Sequence, residues 1–351
     1  MKKVLIVDDS ELVRRMLSKI LDAAPELKVV GTAADAYEAR KMIKMLDPDV
    51  ITLDVEMPRM DGITFLGNLM RLRPLPVVMV SSLTEKGAEI TLRALELGAV
   101  DFVAKPNSDT IRGFTLYADE LTDKVIAAAG ARVRALEQWP RRNTDPGMEQ
   151  NLSAKVRRVE LVSGRIIGIG ASTGGTEAIK EILRELPPCM PGIVVCQHIP
   201  AAFSAPFAAR ADRQSRLTVS EAKDGEQILK GHVYIAPGNR HLLVERHGPR
   251  YFCQLDDGPA VNRHRPSVDV MFRSLAQNAR SNAVCVVLTG MGSDGAAGMG
   301  ELKGTGGYNL VQDEKSSVVW GMPGEAVKRG FADEVLGLRK ISKRLVQLSQ
   351  Q

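Results

Sequence analysis

The stretch RIIGIGASTGG (165–175) joins a short apolar run to a glycine-rich turn, and a helix-like segment, Thr176–Leu186, follows it. A strand, a tight turn and a helix in this order are the unit from which parallel α/β sheets are built. Two chemistries use such a turn. Glycines between a strand and a helix can bind the phosphates of a dinucleotide. Alternatively, the pattern G-x-S-x-G, here residues 170–174, can present a nucleophilic serine at the edge of a sheet.

The dinucleotide interpretation fails two tests on the residues themselves. The fingerprint G-x-G-x-x-G needs a glycine at position 173, where Thr173 stands. It also needs an acidic residue at the end of the next strand to bind a ribose hydroxyl. The next apolar run, GIVVCQH (192–198), ends in Gln197 and His198 instead. The serine interpretation is therefore favoured.

A serine nucleophile needs a base and a carboxylate that orients the base. His198 ends the second strand-like run, and Asp294 lies in a glycine-rich loop after a third run, AVCVVLTG (283–290). Because parallel strands end at one edge of a sheet, Ser172, His198 and Asp294 are predicted to form a catalytic triad. The chain order Ser…His…Asp differs from the Ser…Asp…His of α/β-hydrolases, which indicates a different fold. Glycines in the last loop would bring backbone N–H groups close to a substrate oxyanion.

The remaining histidines and cysteines are weaker candidates. Cys196 lies two residues before His198 and stays an alternative nucleophile, although it lacks the exposed turn of Ser172. The four cysteines form no C-x-x-C pair, so a structural zinc site is not expected, and they are predicted to be reduced thiols. The other histidines are interpreted as residues of turns or surface loops: His232, His241, His247 and His264.

The first 130 residues also alternate strand-like and helix-like segments. Five short runs rich in β-branched residues predict a five-stranded parallel sheet with helices on both faces: KVLIVD, VVGTA, VITLD, PVVMVS and DFVAK. Asp8, Asp9, Asp54, Ser81 and Lys105 lie where these strands end. Three carboxylates at one sheet edge repel one another unless a cation is bound, and an all-oxygen ligand set suits Mg²⁺.

The sequence predicts two α/β domains joined by a linker. A helix is expected over Leu121–Leu136, and Gln138–Asn151 lacks periodicity and carries two prolines, which is typical of a linker. The predicted domains are residues 1–125 and 161–351, with a helix end and linker over 126–160. The second domain is expected to contain an antiparallel hairpin at 232–255.

Composition excludes several classes of function. No apolar run of about 18 residues exists, so no membrane insertion is predicted. The start MKKVLIVDDS is predicted to be a strand rather than a signal peptide, and the protein is expected in the cytoplasm. Aromatic residues are 4% of the chain and no dense basic run occurs, so nucleic-acid binding is not expected. Residues 1–130 carry 17 Lys and Arg against 20 Asp and Glu, whereas residues 161–351 carry 23 against 18, so opposite net charges favour contact between the two domains.

Four motifs of the first domain resemble the receiver domain of bacterial two-component response regulators: VDDS (7–10), LDVEMPRMDG (53–62), VSS (80–82) and KP (105–106). The resemblance covers residues 1–125 and implies a flavodoxin-like fold in which Asp54 accepts a phosphoryl group from a histidine kinase. It implies that Asp8, Asp9 and the backbone carbonyl of Glu56 hold Mg²⁺ together with Asp54. Ser81 and Lys105 match the family's switch residues, and the family typically has a cis peptide at the position of Lys105–Pro106.

The second domain resembles the catalytic domain of the CheB family of chemotaxis protein-glutamate methylesterases. The matching segments are GIGASTGG, CQHIP, HVYIAPGNRHL, RHRPSVD, LTGMGSDGAAGM and QDEKSSVVWGMPGEA. The resemblance implies a Rossmann-like, doubly wound α/β domain whose triad falls on Ser172, His198 and Asp294. It further implies that the backbone amide of Met291 stabilises the oxyanion and that Thr173 belongs to the active-site motif.

The resemblance implies hydrolysis of glutamate methyl esters, and of glutamine amides, on cytoplasmic helices of chemoreceptors, without a cofactor for the esterase chemistry. From the domain order, the linker and the opposite charges of the two halves, we further expect that the unphosphorylated receiver packs over the triad and that phosphorylation of Asp54 loosens this contact. Two alternatives stay open. In the first alternative, the second domain is a binding module without catalytic activity. In the second, it is an esterase or amidase that acts on another protein in a different signalling pathway.

Overall fold

The computed structural model describes residues 1–81, 84–105, 111–131, 133 and 164–350. The predicted linker Gln138–Asn151 and two residues of the receiver motifs, Ser82 and Pro106, lie outside the described residues. The predicted domain boundaries and the predicted cis peptide at Lys105–Pro106 therefore stay predictions. In the part of the chain that is described, no helix is both long and apolar enough to cross a membrane.

The first domain contains a five-stranded sheet with the order β2-β1-β3-β4-β5, and every neighbouring pair is parallel. This confirms the predicted parallel sheet. Its strands are β1 (Lys2–Val7), β2 (Leu27–Ala33), β3 (Val50–Asp54), β4 (Val77–Ser81) and β5 (Asp101–Ala104). The connecting helices are α1 (Glu11–Asp22), α2 (Ala36–Leu46), α3 (Gly62–Leu72), α4 (Glu85–Glu96) and α5 (Ile111–Ala129).

Helices cover both faces of this sheet because successive strand residues point to opposite sides. In β1, Val4 and Ile6 pack with α1 and α5, whereas Leu5 and Val7 pack with the other three helices. Helix α5 differs from the helix predicted over Leu121–Leu136, since it begins at Ile111 and ends at Ala129. Short i to i−3 hydrogen bonds from Gly130 and Ala131 close its last turn.

The second domain contains a seven-stranded parallel sheet with the order β14-β13-β12-β6-β7-β9-β8. Its strands are β6 (Ile166–Ala171), β7 (Gly192–Gln197), β8 (Thr218–Glu221), β9 (His232–Ile235), β12 (Ala283–Val287), β13 (Tyr308–Gln312) and β14 (Glu334–Leu336). Its helices are α6 (Gly175–Glu185), α7 (Ala201–Gln214), α8 (Val268–Asn278), α9 (Ala296–Gly304), α10 (Met322–Lys328) and α11 (Leu338–Leu348). The chain proceeds outward in opposite directions from β6 and β12, so these two strands flank the topological switch point, where open α/β sheets bind ligands.

The antiparallel hairpin lies later in the chain than predicted. It joins β10 (His241–His247) to β11 (Arg250–Asp256), whereas His232–Ile235 pairs in parallel with β7 and β8 in the large sheet. The predicted hairpin at 232–255 was therefore wrong at its N-terminal end. Burial explains the difference, because Val233, Tyr234 and Ile235 are all buried, as in a central strand covered on both faces.

The two domains pack directly against each other. Helix α4 of the first domain contacts α6 and α7 of the second. Between them, the rings of Phe102 at β5 and Phe203 at α7 stack with centroids 4.4 Å apart and an interplanar angle of 26°. Buried side chains of both domains thus form one continuous apolar cluster.

Candidate active site and its contact with the first domain

Ser172 lies in a tight turn between β6 and α6, as the G-x-S-x-G pattern predicts. Gly174 adopts a left-handed conformation (φ 74°) that begins the helix, and the Gly175 N–H donates to the Ser172 carbonyl at 2.7 Å. The loop after β12 approaches closely, since a Cβ on Gly290 would stand 2.8 Å from the Cβ of Ser172. Glycine is therefore required where the two loops meet.

His198 lies beside Ser172 because the strands that precede them are neighbours. Ala171 and Gln197 are paired residues at the ends of β6 and β7, and the His198 N–H donates to the Ala171 carbonyl at 3.1 Å. The side chain of Gln197 also joins these two turns, since its Nε2 donates to the Ser172 carbonyl at 3.0 Å and to the His198 carbonyl at 3.3 Å. The sheet register thus sets the spacing between the predicted nucleophile and the predicted base.

His198 and Asp294 form a buried pair. The His198 Nε2 lies 2.8 Å from the Asp294 Oδ2, and the two side chains are 6% and 1% exposed. The other ring nitrogen, Nδ1, is buried and has no hydrogen-bond partner within the described part of the chain. A carboxylate on Nε2 favours the tautomer that carries its proton there, which leaves Nδ1 as the acceptor.

Asp294 is held as a carboxylate by the start of helix α8. Its oxygens accept from the backbone N–H groups of Val268 at 2.7 Å and Asp269 at 3.1 Å, and from the Ser267 hydroxyl and the Asn262 amide, both at 2.8 Å. Burial by itself would raise the pKa of Asp294, but the hydrogen bonds from His198, Asn262 and the Val268 amide hold it well below its usual range. An anion at a helix N-terminus is also stabilised by the helix dipole.

Sequence reasoning missed three residues of this site, all on the segment before α8. Asn262 and Ser267 bind Asp294, and the ring of His264 stacks on His198 with centroids 3.6 Å apart. His264 does lie in a loop before a helix, as predicted, but it is half-buried and its contact with His198 was not predicted. One signal for this site was present in the sequence. Ser267 directly precedes a helix-like run and is its N-cap, and the first N–H groups of a helix have no partner within the helix, so they are available to bind a carboxylate. His241, in contrast, is fully buried at the start of β10 rather than in a turn.

Met291, the predicted oxyanion donor, and Thr173, the predicted residue of the active-site motif, have different surroundings. Met291 lies between Gly290 and Gly292, and the Gly290 carbonyl accepts from the N–H groups of two residues at the start of α10, Gly321 and Met322. The Thr173 hydroxyl, in contrast, donates to the Asp101 carboxylate of the first domain. The loop that carries Ser172 is therefore engaged by the neighbouring domain.

The first domain brings its predicted acidic residues together. Carboxylate oxygens of Asp8, Asp9 and Asp54 lie within 4.8 Å of one another. The Lys105 Nζ lies 2.8 Å from Asp54 and 3.0 Å from Asp8, while Ser81 is buried at the end of β4. The side chain of Glu56 is exposed and lies outside this cluster, in line with the expectation that only its backbone carbonyl takes part.

The charges of this cluster fit a divalent cation. Burial raises the pKa of Asp54 to about 6, with Lys105 opposing and Asp8 reinforcing that rise. Burial would lower the pKa of Lys105, but Asp54 and Asp8 raise it overall. One ammonium among three carboxylates leaves a net negative site made only of oxygen ligands, which is the donor set that Mg²⁺ prefers.

Comparisons with known proteins agree with this geometry. The family model "CheB methylesterase" matches residues 167–345, and the model "Response regulator receiver domain" matches residues 4–112. The chain belongs to the CheB methylesterase family. It is 55% identical to the protein-glutamate methylesterase/protein-glutamine glutaminase of Hydrogenovibrio crunogenus, over 99% of this chain and 98% of that relative. It is also 55% identical to the corresponding protein 1 of Geobacter metallireducens, over 98% and 94%.

A solved structure supports the fold of the second domain. The CheB methylesterase catalytic domain of Thermotoga maritima is 42% identical, covers 53% of this chain and 100% of its own, and superposes with a TM-score of 0.52. The family also accounts for the order of the two domains, since a receiver domain precedes the methylesterase domain. A receiver domain implies a Mg²⁺ site at an acidic cluster, and the carboxylates of Asp8, Asp9 and Asp54 form such a cluster here.

In this CheB-family chain, an ionic cluster centred on Glu96 ties α4 to the methylesterase domain. The Glu96 carboxylate accepts from Lys180 on α6 and from Arg210 on α7, whose Nε lies 2.7 Å from Oε1. Burial would raise the pKa of Glu96, but Arg210 and Lys180 lower it from 4.5 to about 2. The contact is therefore fully formed above pH of about 4.5 and is lost only as the pH falls towards 2.

Proposed function

We propose that this chain is a phosphorylation-activated serine hydrolase that demethylates glutamate methyl esters and deamidates glutamines on the cytoplasmic helices of methyl-accepting chemoreceptors. One observation carries the esterase assignment. The buried His198–Asp294 pair lies at strand ends on either side of the turn that presents Ser172. The names of the relatives supply the substrate class, since both are protein-glutamate methylesterases and protein-glutamine glutaminases.

The proposed reaction begins when the Ser172 Oγ attacks the ester carbonyl carbon while the His198 Nδ1 takes the hydroxyl proton. Asp294 holds the Nε2–H and stabilises the imidazolium that forms. The tetrahedral intermediate then collapses, the C–O bond to the methoxy group breaks, and His198 gives its proton to that oxygen, so methanol leaves. Water attacks the acyl-enzyme by the same steps and releases the glutamate carboxylate and a free Ser172. A glutamine amide follows the same path with ammonia as the leaving group.

Charge that develops on the carbonyl oxygen needs fixed hydrogen-bond donors. The glycine-rich loop after β12 lies against Ser172, and the Met291 amide in that loop is the proposed oxyanion donor. The Cys196 alternative is disfavoured, because burial raises the pKa of its thiol well above 9.0 and it lies within the sheet.

The receiver controls this site, in our proposal, by occupying the edge of the sheet that carries Ser172. Asp101 binds the Thr173 hydroxyl, and the Phe102–Phe203 stack and the Glu96 cluster hold the two domains together. Phosphorylation of Asp54 by a histidine kinase weakens this contact. When bound at Asp8, Asp9, Asp54 and the Glu56 carbonyl, Mg²⁺ supplies positive charge that offsets the carboxylates and the incoming phosphoryl oxygens. The receptors' cytoplasmic helices place the enzyme in the cytoplasm.

The test is methanol release from methylated receptors by the full-length protein, with and without acetyl phosphate and Mg²⁺. We expect release in both cases and a faster rate with the phosphodonor. Equal rates would reject control by the receiver, and hydrolysis of a generic ester without release of methanol from receptors would indicate another protein substrate.

Replacement of the phosphoryl acceptor should abolish activation. We expect Asp54→Asn to take up no phosphoryl group from acetyl phosphate and to stay at the unphosphorylated rate, measured by radiolabel incorporation and methanol release. Chelation of Mg²⁺ by EDTA should have the same effect on the wild type. The matched control is Glu56→Gln, which changes only an exposed side chain and leaves the backbone carbonyl in place. Activation of the Asp54→Asn variant by acetyl phosphate would contradict the assignment.

Loss of the interdomain carboxylate should activate the unphosphorylated enzyme. We expect Glu96→Gln to raise its hydrolysis rate by about tenfold, because weakening the docked state by about 1.4 kcal/mol changes the docking equilibrium constant, and with it the small undocked population, by that factor. The control is Asp123→Asn, which removes an interdomain pair with Arg263 that is long (3.6 Å) and solvent-exposed. If the two variants gave the same rate as the wild type, the Glu96 cluster would not contribute to docking.

A further inference from the structure

The histidine ring that stacks on His198 has no part in the reaction described above. His264 and His198 lie with ring centroids 3.6 Å apart and an interplanar angle of 14°, which is a face-to-face contact. The Asp294 hydrogen bond fixes His198 at Nε2 only, so the ring could still turn about that bond. A flat group against one face removes this freedom, because the ring can then move only by breaking the stack.

The position of His264 is itself fixed by the same segment that binds Asp294. Its N–H donates to the Val261 carbonyl at 2.9 Å, and its carbonyl accepts from the Val261 N–H at 3.0 Å, so the backbone forms a closed loop. Within that loop, the Asn262 side-chain amide donates to Asp294 and to Asp269, both at 2.8 Å. One short segment therefore contacts both the acid and the base of the triad.

The charge state of His264 suits this position. Burial and the neighbouring His198 lower the pKa of His264 to about 3, against the opposing effect of Asp294, while Lys124 and Arg263 add to the lowering. The ring is thus neutral near neutral pH. A neutral aromatic face tolerates the cation that forms on its neighbour, whereas a second imidazolium would repel it.

We propose that His264 is a positioning residue that holds the plane of the His198 imidazole, so that Nδ1 stays available to take the Ser172 proton, and keeps water away from that ring. The proposal rests on the proposed role of His198 as general base. The flat face of the His264 ring performs this task, rather than either of its nitrogens. The stack forms within this chain and is present without a receptor bound.

Two substitutions separate stacking from chemistry. We expect His264→Ala to lower kcat by about 100-fold with KM little changed, since misplacement by about 1 Å causes losses of this size. We expect His264→Phe to recover most of the lost rate, because phenylalanine offers a flat face without a titrating nitrogen. The control is His247→Ala, which removes an exposed histidine that contacts Glu245 and Phe252 on the hairpin.

Each variant is measured as the phosphorylated full-length protein, by methanol release and by the rate at which a fluorophosphonate phosphonylates Ser172, with an O–P bond formed and fluoride released. This labelling needs the base but no receptor, so a wild type that is labelled without releasing methanol would reject the proposed substrate and still test His264. Wild-type rates in His264→Ala would overturn the proposal. So would a His264→Phe variant as slow as His264→Ala with an unchanged melting temperature, because stacking alone would then not suffice.

Discussion

Replacing Ser172 by alanine should abolish ester hydrolysis while leaving the fold intact. We expect Ser172→Ala to lower kcat by about 10⁶-fold, the loss seen when a serine hydrolase loses its nucleophile, because only substrate binding and the oxyanion donors remain. The variant should still take up a phosphoryl group, since Asp54 lies on a separate sheet. Methanol release from methylated receptors and fluorophosphonate labelling measure the loss.

Cys196→Ala provides the matched control for this experiment. Cys196 is a second nucleophilic side chain, within β7 and two residues before His198, is fully buried, and carries a thiol that burial keeps protonated. We expect it to keep most of the wild-type rate. Full activity in Ser172→Ala would show that the second domain does not act through this serine, and loss of activity in Cys196→Ala with normal stability would favour the thiol.

Strand ends were the part of the site that the sequence could predict. Ser172 and His198 each follow a short apolar run, and the parallel sheet places such ends side by side through its register. The same logic grouped Asp8, Asp9 and Asp54 in the receiver. These predictions depend only on local pattern and on one general property of parallel sheets, which is why sequence reasoning could place these residues near one another.

Contacts made by irregular segments could not be predicted in the same way. Asn262 and Arg263 both adopt positive φ values (52° and 66°), and no periodicity in the sequence indicates where their neighbours lie. The result is that His264, assigned to a surface loop, covers His198. Parallel pairing of His232–Ile235 was missed for a related reason, because a short apolar run looks alike in a hairpin and in a central strand.

Contact between the two domains was indicated by their order, the linker and their opposite net charges, none of which identifies a residue of the interface. The opposite signs of the two halves predicted attraction, but the partners of Glu96 lie 84 and 114 residues away in the sequence. Such pairs depend on how two finished domains dock. The sequence therefore predicts that the two domains contact each other, but it does not predict which residues form the interface.

The second large effect is expected from the acid of the triad. Asp294→Asn should lower kcat by about 10⁴-fold, because an amide at this position no longer fixes the His198 tautomer with Nδ1 as the acceptor. The substitution keeps the volume of the side chain, and the oxygen of an asparagine can still accept from Val268, Ser267 or Asn262. Binding of the receptor should change little, so the loss should appear in kcat rather than in KM.

Asp269→Asn is the matched control for Asp294→Asn. Asp269 is a second buried carboxylate that shares the Asn262 amide with Asp294, but it accepts from Gly298 and makes no hydrogen bond to His198. We expect this variant to lose far less activity, measured as methanol release from methylated receptors. Equal losses in the two variants would mean that the buried network matters as a whole for stability. A loss confined to Asp294→Asn, at an unchanged melting temperature, assigns the effect to the ring nitrogen that this carboxylate controls.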